Sequence, residues 1–345
     1  MGYETDLSTK RAAYAGTQLM KISIITPSFN QAEFLESTLQ SVLSQTGIDL
    51  EYIVVDGGST DGSKEIIEKH SGKLAWWCSE PDGGQYQAIN KGFEKATGEI
   101  LAWLNSSDIY LPWTLTTVSQ IFSSHPGVNW LAANHKLCIG EKNEFAGYQK
   151  LPGYSRNAFI KGMHGSRQNT NFIQQETCFW RRSLWDKIGG RIPDTYKYAA
   201  DFHLWSLMFE RSALTGVECP LAAFRYHDDQ RSKIDGYMDE VEAVLAEARK
   251  SSSMPSHHAE MPVAYLKPSK EGDEGFGRWV LSVMENDNFI FEVDNAEVAL
   301  QKKERVIEEL NTACIDRLAI IERLRSENTL KFQLERFVRH MFNKY

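Results

Sequence analysis

Between residues 21 and 132 the apolar positions follow two alternating patterns. Short, almost continuous apolar runs occur at 22–25, 52–55, 74–78, 100–104 and 128–132, a length and texture that predict buried strands. Between them, apolar residues recur at helical spacing. Positions 35, 39, 42 and 43 mark a helix over 32–43, and further helices are expected at 63–69, 86–96 and 112–122. Pro112 stands near the start of the last, where its missing N–H costs nothing. Apolar strands separated by helices predict an α/β fold with a mostly parallel sheet covered on both faces. In such sheets ligands bind beyond the carboxyl ends of the strands. The polar residues that close each run are therefore the ones to examine.

Four clusters close the first four runs: Thr26-Pro27-Ser28-Phe29-Asn30, Asp56-Gly57-Gly58-Ser59-Thr60-Asp61-Gly62, Ser79-Glu80-Pro81-Asp82-Gly83-Gly84 and Leu104-Asn105-Ser106-Ser107-Asp108. Taken singly, each reads as a turn, because glycine tolerates positive φ and aspartate caps helices. Together, in register, they describe a polar cleft. A strand-end carboxylate such as Asp56 can accept a base N–H, and glycines let backbone amides approach phosphate or sugar oxygens. Neither G-x-G-x-x-G nor the P-loop pattern follows the first strand, so dinucleotide and P-loop chemistry are not indicated.

The composition narrows the classes further. The chain has 345 residues and a net charge of −8, which argues against a general nucleic-acid binder. Five scattered cysteines without a C-x-x-C pair suit a reducing compartment better than a disulfide framework. No apolar window is long enough to span a bilayer, and residues 1–20 resemble neither a signal peptide nor a membrane span. A cytoplasmic location is expected, with peripheral contact at the inner membrane face left open.

The organisation expected is a tail (1–20), a main domain (21–236), a linker and partly helical region (237–294) and a C-terminal helix (295–345). Leu300, Ile307, Leu310, Cys314, Leu318, Ile321 and Leu324 form a helical stripe suited to packing or a coiled coil. A basic, apolar-striped end follows from Leu330 to Tyr345, where contact with an anionic membrane and docking on the chain's own domain both remain open.

The four clusters, continued by Gln85-Tyr86-Gln87-Ala88-Ile89-Asn90-Lys91-Gly92, by Glu176-Thr177-Cys178-Phe179-Trp180-Arg181-Arg182 and by Tyr198-Ala199-Ala200-Asp201-Phe202-His203, resemble the family 2 glycosyltransferases over residues 21–231. The resemblance implies a GT-A nucleotide-sugar-binding fold with a C-terminal helical extension. It also implies an inverting, non-processive transfer from a nucleotide-sugar donor, a UDP-sugar first, to a glycan or lipid-linked acceptor in surface polysaccharide or glycolipid synthesis. Asp201 takes the position of the general base, with Glu176 as the second candidate. The donor site would draw on Thr26, Pro27, Ser28, Asn30, Asp56, Gly58, Asp82, Gly83, Gly84, Asn90, Lys91, Asn105, Ser106 and Ser107.

A departing nucleoside diphosphate is usually neutralised by a divalent cation, Mg²⁺ or Mn²⁺, on oxygen ligands. Here Ser107 stands where a metal-binding aspartate is expected, which leaves Asp108 and His227 as candidate ligands and makes metal dependence an open question. Lys91, Arg181 or Arg231 are the alternative counter-charges. A catalytically silent binding or scaffolding protein is the rival reading that Ser107 favours. A sugar nucleotidyltransferase would want a Gly-rich, Arg-containing loop after the first strand, and Pro27-Ser28-Phe29-Asn30 is not one.

Overall fold

The computed structural model describes residues 20–151, 153–169, 171–228, 236–252, 263–268 and 279–284. The C-terminal stripe, the basic end and Arg231 lie outside the described residues. In chain order the strands are β1 (Lys21–Ser28), β2 (Asp49–Asp56), β3 (Trp76–Ser79), β4 (Ile100–Trp103), β5 (Ile109–Tyr110), β6 (Trp130–Ala133) and β7 (His135–Ile139). They continue with β8 (Phe145–Lys150), β9 (Phe179–Arg181), β10 (Leu214–Val217), β11 (Ala222–Arg225), β12 (Val263–Pro268) and β13 (Trp279–Met284). The helices are α1 (Ala32–Leu43), α2 (Ser63–His70), α3 (Gln85–Lys95), α4 (Thr114–Ser124), α5 (Arg156–Ile160), α6 (Arg182–Lys187), α7 (Ala200–Phe209) and α8 (Tyr237–Ser252).

Nine strands form the central sheet in the order β13-β12-β10-β6-β9-β4-β1-β2-β3. The pairings of β1 with β2 and β4, of β2 with β3, and of β10 with β6 and β12 are parallel. Strand β9 runs against both of its neighbours, and β13 runs against β12. The expected mostly parallel sheet is therefore present, with β9 antiparallel inside it and β13 antiparallel at its edge. Strands β12 and β13 arise in the stretch 237–294, expected as linker and partly helical; the apolar run Trp279-Val280-Leu281-Ser282-Val283-Met284 carries the strand signal there.

Alternate residues of the central strands feed two cores, as a sheet buried on both faces requires. Ile22, Ile24, Tyr52, Val54, Ile100 and Ala102 pack under Leu35 and Leu39 of α1, Ile67 of α2 and Leu115 and Val118 of α4. On the opposite face Ile25, Ile53, Val55, Leu101 and Trp103 meet Ile89 and Phe93 of α3 and Phe202 and Trp205 of α7. Trp103 stacks on Trp205 with centroids 5.8 Å apart, and Trp130 stacks on the same ring at 5.7 Å. Gly92 is what lets α3 sit so close to β1, because a Cβ there would lie 2.5 Å from Ile25 Cγ2. Helix α3 is thereby seated with its N-terminus at the carboxyl edge of the sheet.

A second sheet, ordered β5-β11-β7-β8, flanks that edge. Strand β11 pairs antiparallel with β5 and parallel with β7, and β7 pairs antiparallel with β8. The far edge of the main sheet is closed by Glu51. Its carboxylate accepts the Ser23 hydroxyl (2.6 Å), the Thr97 N–H (2.6 Å) and the Thr97 hydroxyl (2.6 Å), and pairs with Lys21 at 3.0 Å.

Candidate active site

The parallel register brings Ser28, Asp56 and Ser79 side by side at the ends of β1, β2 and β3. Asp56 is fully buried, and its carboxylate takes four donors: the Ser79 hydroxyl (2.7 Å), the Gly58 and Ser59 N–H groups (3.2 and 2.9 Å) and the Ser59 hydroxyl (2.5 Å). The loop after β1 joins the same cluster. Asn30, in the left-handed region at φ 50°, donates its N–H to Ser59 Oγ (2.8 Å) and accepts the Thr60 N–H (2.9 Å). The third loop closes over Gly57, where a Cβ would lie 3.2 Å from both carboxylate oxygens of Asp82 and 3.3 Å from the exposed ring of Phe29. Gly58, at φ 82°, faces the backbone of Pro81. Three of the four clusters thus meet in one place.

The N-terminus of α3 ties in the rest. The Asp82 carboxylate accepts the Gly84 N–H at 2.7 Å, one residue before the helix begins. Gln85 donates to Asn105 Oδ1 (2.6 Å), and Asn105 donates in turn to Gln175 Oε1 (3.0 Å) and Asp108 Oδ2 (3.4 Å). Gln175 is held by the Trp103 carbonyl (2.8 Å). The next residue, Tyr86, reaches the other way: its hydroxyl lies 2.8 Å from the Tyr198 carbonyl and 3.2 Å from Asp201 Oδ1. Asp201 stands in the first turn of α7, where its Oδ1 also accepts the Phe202 N–H at 2.8 Å. Two consecutive side chains of one helix therefore connect the donor-side loops to the candidate base. Gln85 and Tyr86 stand in the run that carries the family resemblance but not among the expected site residues, and Gln175 has no signal in the sequence.

Thr26 is inside the sheet, hydrogen-bonded to the Tyr52 hydroxyl at 2.9 Å. Pro27 and Ser28 are buried, and Ser28 Oγ has no partner. Asn90 clamps the backbone of Ile192 through two hydrogen bonds of 2.8 and 2.9 Å. Lys91 is paired with Glu80. Arg181, considered as a counter-charge, sits at the opposite edge of the sheet: it is registered with Ile100 and gives its guanidinium to the Val128 and Phe122 carbonyls.

Of the two residues expected to hold a cation, Asp108 is turned inward. Asp108 is buried; Oδ1 accepts the Arg225 N–H at 3.0 Å and Oδ2 faces Asn105. Arg225, which sequence reasoning overlooked, is itself buried and donates to the carbonyls of Ser107 (2.7 Å) and Gly140 (2.8 Å) and to Asn143 Oδ1 (2.7 Å). His227 packs its ring on Phe34, with centroids 5.1 Å apart. Among the described residues no group of three or more His, Cys, Asp or Glu side chains is placed to hold a metal ion. A single buried carboxylate with both oxygens engaged does not fit the demands of Mg²⁺ or Mn²⁺.

Glu176 lies beside this inward-facing pocket. It is buried, its Oε1 has no hydrogen-bond partner, and burial raises its carboxyl to about 8, with the charge of Asp108 adding to the shift. Asp108 is raised by burial as well, against the pull of the Arg225 and Asn105 donors. Two neighbouring buried carboxyls favour holding a proton between them.

Residues 23–189 match the glycosyl transferase family 2 model. An uncharacterized glycosyltransferase of Mycobacterium tuberculosis is 41% identical over 179 residues, 50% of this chain and 63% of the relative. A Bacillus subtilis protein, TuaG, whose name assigns it provisionally to teichuronic acid biosynthesis, is 39% identical over 90 residues, 25% of this chain and 36% of TuaG. The chain thus spans less than two thirds of the length of these relatives. Among solved structures, S. aureus TarS 1–349 in complex with UDP-GlcNAc superposes with a TM-score of 0.53 at 18% identity, over 70% of this chain and 68% of that one. The fold is GT-A, and residues 23–189 are a glycosyl transferase family 2 region.

Proposed function

We propose that the chain transfers a sugar from a nucleotide-sugar donor, a UDP-sugar first, to an acceptor hydroxyl with inversion at the anomeric carbon. The observation that carries the reading is the linkage of Asp56, Asp82, Asn105 and Asp201 through the N-terminus of α3 at one edge of the sheet. Asp56, presented at the end of β2, accepts an N–H of the base once Ser59 yields its place. Asp82 and the amides around Gly84 border the sugar diphosphate. Asp201 takes the proton of the acceptor hydroxyl as the new bond forms, a role that needs a carboxylate oriented within hydrogen-bond reach. Donor and acceptor then react by single displacement, and the nucleoside diphosphate departs.

No step of this reading is routed through a metal, and the assays with and without Mn²⁺ below decide whether one is required. The similarity to TuaG supports a role in surface polysaccharide synthesis, and the UDP-GlcNAc bound to TarS supports a UDP-sugar as donor. The catalytically silent reading keeps one observation in its favour, the presence of Ser107 in place of an aspartate.

The test is a panel of nucleotide sugars screened by thermal shift and then by donor hydrolysis, with and without Mn²⁺. Stabilisation by a UDP-sugar together with turnover supports the transferase. Binding without turnover under any metal condition selects the silent protein. Normal turnover in Asp201→Asn moves the base role to Glu176.

A further inference from the structure

Resting on the transferase reading, a feature of the second sheet extends it to the acceptor. Parallel pairing places Phe224 beside Cys138, so Phe224 and Tyr226 of the β11 edge share a face with Lys136 and Cys138 of β7. On that face the Lys136 ammonium lies 5.4 Å from the Phe224 ring centre and 5.8 Å from that of Tyr226. The two rings meet edge to face at 5.4 Å. Tyr226 is 44% exposed, while Phe224 and Lys136 are half-buried. The face lies near Glu176 and Asp108, which adjoin Gln175 and Asn105 of the candidate site. Strand β11 packs against the 175–177 turn that carries Glu176, and Cys138 lies within reach of the charges of Glu176 and Asp108.

Partly exposed cation–π contacts contribute little to folding. An exposed ring with a half-buried one beside it and an ammonium over both offers a surface that a ligand can cover. Aromatic faces take the C–H face of a pyranose and exclude water, and an ammonium held over them serves as a point charge for an anion, with no demand for bidentate geometry. We propose that Lys136, Phe224 and Tyr226 form the acceptor platform, and that it selects a sugar ring carrying a carboxylate or a phosphate.

The experiment uses the full chain, its best nucleotide-sugar donor and three acceptors: a uronic-acid disaccharide, a sugar phosphate and a neutral disaccharide. Wild type is expected to prefer a charged acceptor, and the better of the two identifies the anion. Lys136→Gln should raise KM for the charged acceptors about tenfold, the loss of roughly one charge-assisted contact, and leave the neutral one unchanged. Tyr226→Ala should raise KM for all three. Stabilisation of each variant by UDP separates a folded variant from a misfolded one. Equal acceptor KM values in wild type and Lys136→Gln, or a preference of wild type for the neutral acceptor, overturn the proposal. If no donor turns over, the transferase reading fails separately. The platform is then tested by titrating the same three probes into wild type and Lys136→Gln, and it stands only if a charged probe binds wild type more tightly and loses that margin in the variant.

Discussion

The Tyr86 hydroxyl stands between the Tyr198 carbonyl at 2.8 Å and Asp201 Oδ1 at 3.2 Å, and it also faces the Asp201 N–H at 3.4 Å. One side chain of α3 thus fixes both the backbone entering α7 and the carboxylate at its first turn. If Asp201 is the base, Tyr86 is a positioning residue. Asp201→Asn should lower kcat by about 10²–10⁴-fold, the usual contribution of a positioned base. Tyr86→Phe should lower kcat about tenfold, the effect of ~1.4 kcal/mol of lost orientation, with donor KM little changed. In an Asp201→Asn background the Tyr86→Phe change should cost far less, since residues in one network are not additive. Steady-state kinetics on the four proteins decide it: equal losses in both backgrounds would show that Tyr86 acts on the fold alone.

Much of this arrangement is legible in the order of residues along the chain. The apolar runs ending at Pro27, Asp56 and Ser79 specify β1 to β3, and a parallel sheet forces their closing residues to one edge. What the pattern cannot show is which polar residues turn inward. Asp56 and Asp108 look alike in sequence, each an aspartate just beyond a buried strand. Yet Asp56 is held by hydroxyls and amides at the cleft, whereas Asp108 is bound to Arg225, 117 residues away. Strand β9 was also hidden, because Phe179-Trp180-Arg181 is too short to give a period, and its place between β4 and β6 depends on non-local pairing. The same holds for the second sheet, whose strands are only two to six residues long.

Asp56 couples folding to donor binding. Asp56→Asn replaces an acceptor by a donor opposite Ser79, Ser59 and Gly58, and should destabilise the protein by about 1–3 kcal/mol, the cost of unsatisfied buried polar groups. It should also abolish stabilisation by UDP. Ser79→Ala removes one of four donors and should cost about 1 kcal/mol while keeping the UDP effect. Denaturant unfolding and thermal shift measured on both variants check this. A UDP shift in Asp56→Asn as large as in wild type would remove Asp56 from the base site.

The buried carboxyl beside Asp108 gives stability a pH dependence of known sign. Burial first, then the Asp108 charge, raise Glu176 to about 8 from an ordinary 4.5, so the folded state binds its proton more tightly than the unfolded state does. That contribution is complete below pH 4.5 and is lost as pH rises through about 8. Glu176→Gln keeps the neutral shape and cannot ionise. Its unfolding free energy relative to wild type should therefore improve steadily from pH 5 to about 8.5. Parallel curves across that window would mean that Glu176 stays ionised in the folded chain.

His164 works in the opposite direction. Its ring is buried against Tyr154, with centroids 5.3 Å apart, neither nitrogen has a hydrogen-bond partner, and burial lowers its pKa from 6.5 to about 4. The unfolded chain thus binds a proton that the folded chain refuses, and stability present above pH 6.5 is lost as pH falls toward 4. The span corresponds to roughly 3 kcal/mol. His164→Leu breaks no hydrogen bond, so its cost at pH 7.5 is one of packing alone. Below pH 6.5 the variant should gain on wild type and overtake it near pH 4 if that packing cost is under about 3 kcal/mol. Urea unfolding of both proteins at pH 7.5, 6, 5 and 4 measures the difference. A difference constant with pH would show that the folded state accepts the proton after all, and that the imidazole is not sealed from water.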